Sequence, residues 1–218
     1  MKDKTYKNTT YKELEITAKA RLFIKRLQED IAEFAAFDPN FNQAFIDSVT
    51  ALEKELTDLP DDRSMRAIIG VETAELKKVV GRCCDLMYIL AFFVRKAFPD
   101  NYGEQQQFGI FKFKKIKSKL LKFEVEMQLM GAKVEQFESV LASVGLSQAY
   151  IDELKSVHLV LSEAMHTQYT AKKQRKITTE TRLQLMNEVW ENLSRISRVS
   201  KFIYSDDYGK YQAYLLYG

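Results

Sequence analysis

The stretch FKKIKSKLLKFEVEMQLMGAKVEQFESVL, residues 113–141, decides the fold class. Its apolar side chains Phe113, Ile116, Leu120, Phe123, Met127, Met130, Val134, Phe137 and Leu141 are separated by alternating steps of three and four. At 3.6 residues per turn that spacing keeps one stripe on one helix face. It predicts a long amphipathic helix packed at a shallow angle on its neighbours. The stripe has a counterpart 107 residues earlier in Ile16, Ala20, Phe23, Leu27 and Phe34. That earlier stripe opens with Thr10-Tyr11-Lys12-Glu13, where Thr10 and Glu13 have the spacing of a capping box.

Other strings recur at nearly the same offset. Phe45-Ile46-Asp47 returns as Tyr150-Ile151-Asp152, and Asp100-Asn101-Tyr102-Gly103 returns as Asp206-Asp207-Tyr208-Gly209. An offset held this well predicts one unit used twice, with residues 1–110 and 111–218 as two three-helix repeats. In the first copy a second helix is expected from Asp38-Pro39, carrying Phe41, Phe45, Leu52, Leu56 and Leu59, until Pro60 stops it. A third is expected over about 64–97. Their partners are expected after Ser147, through Ile151, Leu154, His158, Leu161 and Met165, and from about Thr178, through Met186, Val189, Leu193, Ile196, Ser200 and Ile203. On this alignment Cys83 matches Val189, Met87 matches Leu193 and Leu90 matches Ile196. No sustained period-2 alternation predicts a strand. The segment Leu86 to Val94 is apolar nearly all round and should be covered on most sides. The expected architecture is therefore all-α: an antiparallel bundle of about six helices, the two repeats packed as one globular unit with pseudo-twofold symmetry.

Composition agrees with a helical chain that has a core. The 218 residues are 46% hydrophobic and hold only three prolines and eight glycines. The net charge of +3 divides as −2 over residues 1–110 and +5 over 111–218, a weak asymmetry for a dedicated nucleic-acid binder. The start Met1-Lys2-Asp3-Lys4-Thr5 lacks the apolar core of a secretion signal, and the longest apolar run is far below the roughly 20 residues that span a bilayer. Adjacent Cys83 and Cys84 point about 100° apart on a helix and suggest no disulfide, so a reducing cytoplasm is the expected setting.

Candidate sites are few. Lys112, Lys114, Lys115, Lys117, Lys119 and Lys122 make a basic run interleaved with Phe111, Phe113 and Ile116. Lys172, Lys173, Arg175 and Lys176 make a second cluster at an expected turn. Together they are a possible surface for a polyanion, either nucleic acid or anionic membrane. The plainer reading is a solvated helix face. Glu163 and His166 match one half of a carboxylate-bridged metal site, but the second motif that such sites need is missing. Neither cysteine has a base nearby in sequence, and an inert packed thiol is expected. The Asp-x-Tyr-Gly strings read as helix ends, with Gly103 and Gly209 left-handed. A ligand site between the repeats would need polar groups on the core stripe, for which His158, Thr73 and Ser200 are the candidates.

No catalytic constellation, cofactor or metal is expected. The favoured reading is a non-enzymatic interaction or scaffold module that binds another protein or itself. The alternatives are a polyanion binder acting through the Lys112–Lys122 face and a small-molecule binder at the repeat interface.

Overall fold

The computed structural model describes residues 7 and 9–216, and the start Met1-Lys2-Asp3-Lys4-Thr5 lies outside them. The described residues are all-helical. Ten helices replace the six expected: α1 Glu13–Glu29, α2 Ile31–Phe37, α3 Gln43–Asp58, α4 Asp62–Ala97, α5 Tyr102–Gln107, α6 Phe113–Ile116, α7 Leu120–Gln136, α8 Glu138–Ser143, α9 Gln148–Ile203 and α10 Tyr208–Gln212. None is long and apolar enough to cross a membrane.

The chain divides into two compact units, Met1–Asp62 with Arg175–Gly218, and Arg63–Gln174. The first holds α1, α2, α3, the C-terminal part of α9, and α10. Its core gathers Phe23, Phe34, Ile46, Val189, Leu193 and Tyr214. Arg195 on α9 lies over the rings of Phe41 and Phe45 at 4.7 and 5.3 Å and pairs with Asp38 at 2.9 Å. Buried Glu53 is held by Arg21 at 2.7 Å and by the Thr57 hydroxyl at 2.9 Å, so its charge is paired.

The second unit holds α4, α5 to α8 and the N-terminal part of α9. Cys83, Met87, Leu90, Phe123, Met130 and Leu154 are in its core. Helices α7 and α9 approach closely at Gly131, where a Cβ would lie 3.2–3.3 Å from the carbonyls of Lys155 and Leu154. Arg82 on α4 makes a two-pronged contact with Glu153 on α9, and Gln168 donates to the Thr73 hydroxyl at 2.9 Å.

The apolar stripes are largely where their spacing puts them, and the helix boundaries are not. The 113–141 stripe is interrupted twice, at 117–119 and at Phe137. Across 112–122 the pairs 112/115, 114/117, 115/119 and 119/122 would stack lysines on one another in a continuous helix, and like charges at those spacings oppose it. Asp38-Pro39 does not open α3. The Asp38 carboxylate accepts from the Asn40 amide at 2.9 Å and makes a turn, while Asn42 accepts from the Phe45 amide at 3.1 Å and caps the helix. The buried face of α3 is accordingly Ile46, Val49, Glu53 and Leu56. Helix α1 starts two residues past the expected box, with Glu15 accepting from the Lys12 amide at 2.6 Å.

The two Asp-x-Tyr-Gly strings begin helices and do not end them. Asn101 accepts from the Glu104 amide at 3.1 Å and Asp207 from the Lys210 amide at 3.0 Å, capping α5 and α10. The left-handed glycines are Gly109 and Gly145 instead, and beyond Gly145 the Leu146 amide closes α8 by reaching back to Leu141. Within Leu86 to Val94, Tyr88 and Phe92 are more than half exposed, so that turn of α4 is not covered all round.

Candidate functional site

All six lysines of the 112–122 run are exposed, on the α6 turn and the start of α7. That segment holds no acidic residue, and none of the six makes an ion pair among the described residues. Aromatic groups border it. Lys114 lies 4.9 Å from the centre of the Tyr88 ring, Arg95 covers Phe111, and Phe111 touches Tyr102 at 4.9 Å between ring centres.

One feature of this face was not read from the sequence. Helix α7 buries Phe123, Met127, Met130 and Val134. On the opposite side it exposes Leu121 (73%), Val125 (52%) and Leu129 (56%), each four residues from the next. Ile116, Leu121, Lys122, Val125 and Glu126 form a shallow depression of about 340 Å³ there. The signal was present in residues 113–141 as a second apolar stripe, offset from the dominant one and masked by it.

The second basic cluster is not at a turn. Residues 172–176 lie inside α9. Lys172, Lys173 and Lys176 are exposed, but Arg175 is tied to Asp62 at 2.7 Å and Lys172 to Gln168 at 3.0 Å. Five long helix-favouring side chains and no glycine or proline give the chain no reason to break here.

The three polar core candidates do not converge. Thr73 bonds Gln168, buried Ser200 donates to the Ser197 carbonyl at 2.9 Å, and the buried Nδ1 of His158 has no partner. None of the three hydrogen-bonds another among the described residues. Gln168, the partner of Thr73, is ten residues from His158, about 15 Å along α9. Ser200 belongs to the other unit. His166 lies inside α9, well away from either helix end.

Cys83 is fully buried, and burial pushes its thiol up to about 12, with neighbouring Cys84 adding to the shift. Cys84 is raised as well, again by burial first. A neutral, enclosed thiol is a poor nucleophile. In the folded protein at pH 8, Cys83 is expected to stay unmodified by iodoacetamide and to react only after unfolding. Mass mapping of the alkylated cysteine checks this, and rapid native labelling of Cys83 would contradict the packing.

A second surface of the same unit is a groove of about 480 Å³ between α4 and α9. Val79, Leu159, Val160 and Ala164 floor it, and Glu72, Glu75 and Glu163 rim it. Leu159 and Val160 are more than half exposed. The groove thus offers apolar area with three glutamates at its edge, one of which, Glu75, pairs with Lys78 at 3.5 Å. Set against protein-family models, curated proteins and solved structures, the chain matches none.

Proposed function

We propose that this protein is a non-enzymatic helical module that binds other proteins through exposed faces, and that it is built as two tandem three-helix repeats. The observation that carries the binding reading is the α4–α9 groove. Its aliphatic floor and its three glutamates fit a basic amphipathic helix, which would lay leucines on Leu159 and Val160 and lysines or arginines along the rim. Supporting the repeat reading, Cys83 and Val189, Met87 and Leu193, and Leu90 and Ile196 are all buried pairs, and Asn101 and Asp207 cap equivalent short helices. Each compact unit takes the first two helices of one copy and the third of the other, a reciprocal exchange.

The test is binding of a synthetic lysine–leucine amphipathic helix, read by fluorescence anisotropy. Replacing Leu159 and Val160 together by Ser leaves the core intact and should weaken the peptide at least tenfold. Equal affinity in both proteins, or no binding to either, rules the groove out. A second reading, a polyanion surface at Lys112–Lys122, is favoured by the six lysines that make no ion pair among the described residues.

A further inference from the structure

Lysines alone do not distinguish one polyanion from another, but the side chains between and beyond them do. A nucleic acid presents phosphates and base edges, and gains nothing from aliphatic groups standing out beside its backbone. A bilayer presents anionic headgroups over a layer that takes up apolar side chains a few ångströms deep. The face at 111–129 offers what the second surface needs. Lys112, Lys114, Lys115, Lys117, Lys119 and Lys122 make no ion pair among the described residues, and Leu121 is the most exposed aliphatic side chain beside them. Val125 and Leu129 continue that ridge by one turn each, and exposed Phe111, in contact with Tyr102, directly precedes the lysine run in the chain. Tyr and Phe suit the headgroup boundary, since each joins an apolar ring to a wet edge.

The ridge is too small to explain by a protein interface alone. Three aliphatic side chains fall short of the roughly 800 Å² that each partner contributes to a stable interface. Adsorption to a charged surface needs no such area, because the lysines supply attraction over about a Debye length and the ridge adds local insertion.

We propose that residues 111–129 form a docking face for an anionic lipid bilayer, with the lysines on the headgroups and Leu121, Val125 and Leu129 entering the interface. This rests on the polyanion reading of the lysine run and selects the bilayer as its source. Glu124 and Glu126 flank the ridge and limit the basic part to residues before 123.

The experiment is co-sedimentation of the full chain with vesicles of phosphatidylcholine, with and without about one-third phosphatidylserine, over a salt series, beside duplex DNA at the same charge concentration. Binding is expected only to the phosphatidylserine vesicles, weakening steeply with salt. Changing Lys115, Lys117 and Lys119 together to Gln should lower partitioning by about fivefold per lysine, more than 100-fold in all. Leu121→Ser with Val125→Ser should lower it at least tenfold without altering the circular dichroism spectrum. Binding to DNA but not to vesicles would overturn the bilayer proposal and leave the polyanion reading standing. No binding to either at low salt would overturn both. Vesicle binding indifferent to the Leu121 and Val125 changes would overturn the inserted ridge.

Discussion

Tyr214→Ala is expected to destabilise the first unit by about 3–5 kcal/mol, the range for removing a fully buried aromatic side chain. Tyr214 is 1% exposed and lies far along the chain from most of what it touches. Its ring meets Phe23 and Phe34 edge-on or tilted at 5.7 and 5.3 Å and stacks on Tyr204 at 6.0 Å. Its hydroxyl donates to the Asp30 carboxylate at 2.7 Å. Around it, Arg26 donates to the Ala213 carbonyl, and Tyr11 donates to the Leu216 carbonyl at 3.0 Å. Residues 213–216 are thereby clasped onto α1 and α2, and Ala at 214 would leave a cavity at the centre of that clasp. Trp190, the single tryptophan, is in the same core against Tyr11 at 5.2 Å and reports on this unit alone. A urea midpoint followed by its fluorescence should fall well below that of the parent. An unchanged midpoint would mean that the C-terminal clasp does not form. Tyr214→Phe keeps the ring and loses one hydrogen bond to a carboxylate, so it should cost about 1.5–3 kcal/mol.

The same clasp should weaken at both pH extremes. The nearby Tyr204 hydroxyl, which makes no hydrogen bond of ordinary geometry, and Lys210, which bonds the carboxylate at 3.0 Å, hold Glu33 below its ordinary value. A depressed carboxylate stabilises the fold above the unfolded glutamate range, and that contribution is lost as the pH falls through the lowered value. Burial, then the carboxylates of Glu33 and Asp30, push the Tyr204 hydroxyl up, and burial with the Asp30 bond does the same to Tyr214. Raised groups of this kind stabilise the fold below the unfolded tyrosine value, and the contribution is lost as the pH rises beyond it. The Trp190 midpoint should therefore decline at acid and alkaline pH, and by less at alkaline pH in Tyr214→Phe.

Burial was the legible part of the sequence. Ile16, Ala20, Phe23, Leu27 and Phe34 are all at most 1% exposed, as their spacing requires, although Asp30 divides them between two helices. Spacing survives such a break because the core sets which side chains turn inward, while the backbone can pause wherever local hydrogen bonds repay it. Those local bonds are what periodicity does not contain. Asn42 outcompetes Asp38 as a cap because the Asp38 carboxylate is already engaged with Asn40. Gly103 and Gly209 follow residues that cap helices, so they enter a first turn where no left-handed residue is needed. The candidate surfaces were half legible. The lysines could be counted, but the Leu121 ridge depends on knowing that the other face of α7 is the buried one. The α4–α9 groove joins Glu72 and Glu75 to Glu163, 91 and 88 residues away in the chain, which no local pattern brings together.

Pro60 ends α3, with Leu59 extended, and so separates α3 from α4. Under the proposed repeat, a turn falls at the matching region of the second copy, within Lys172-Lys173-Gln174-Arg175-Lys176. No proline stands there, however, and α9 runs without a break for 56 residues. Lys173→Pro is accordingly expected to cost about 3 kcal/mol or more, because the ring removes the amide bond to the Tyr169 carbonyl and clashes with it. Lys173→Ala, at the same exposed position, should be within about 0.5 kcal/mol of the parent. Denaturation followed by far-ultraviolet circular dichroism separates the two. If proline were as mild as alanine, residues 172–176 would be a turn and α9 would be two helices. If proline alone is severe, α9 is one continuous helix through residues 172–176.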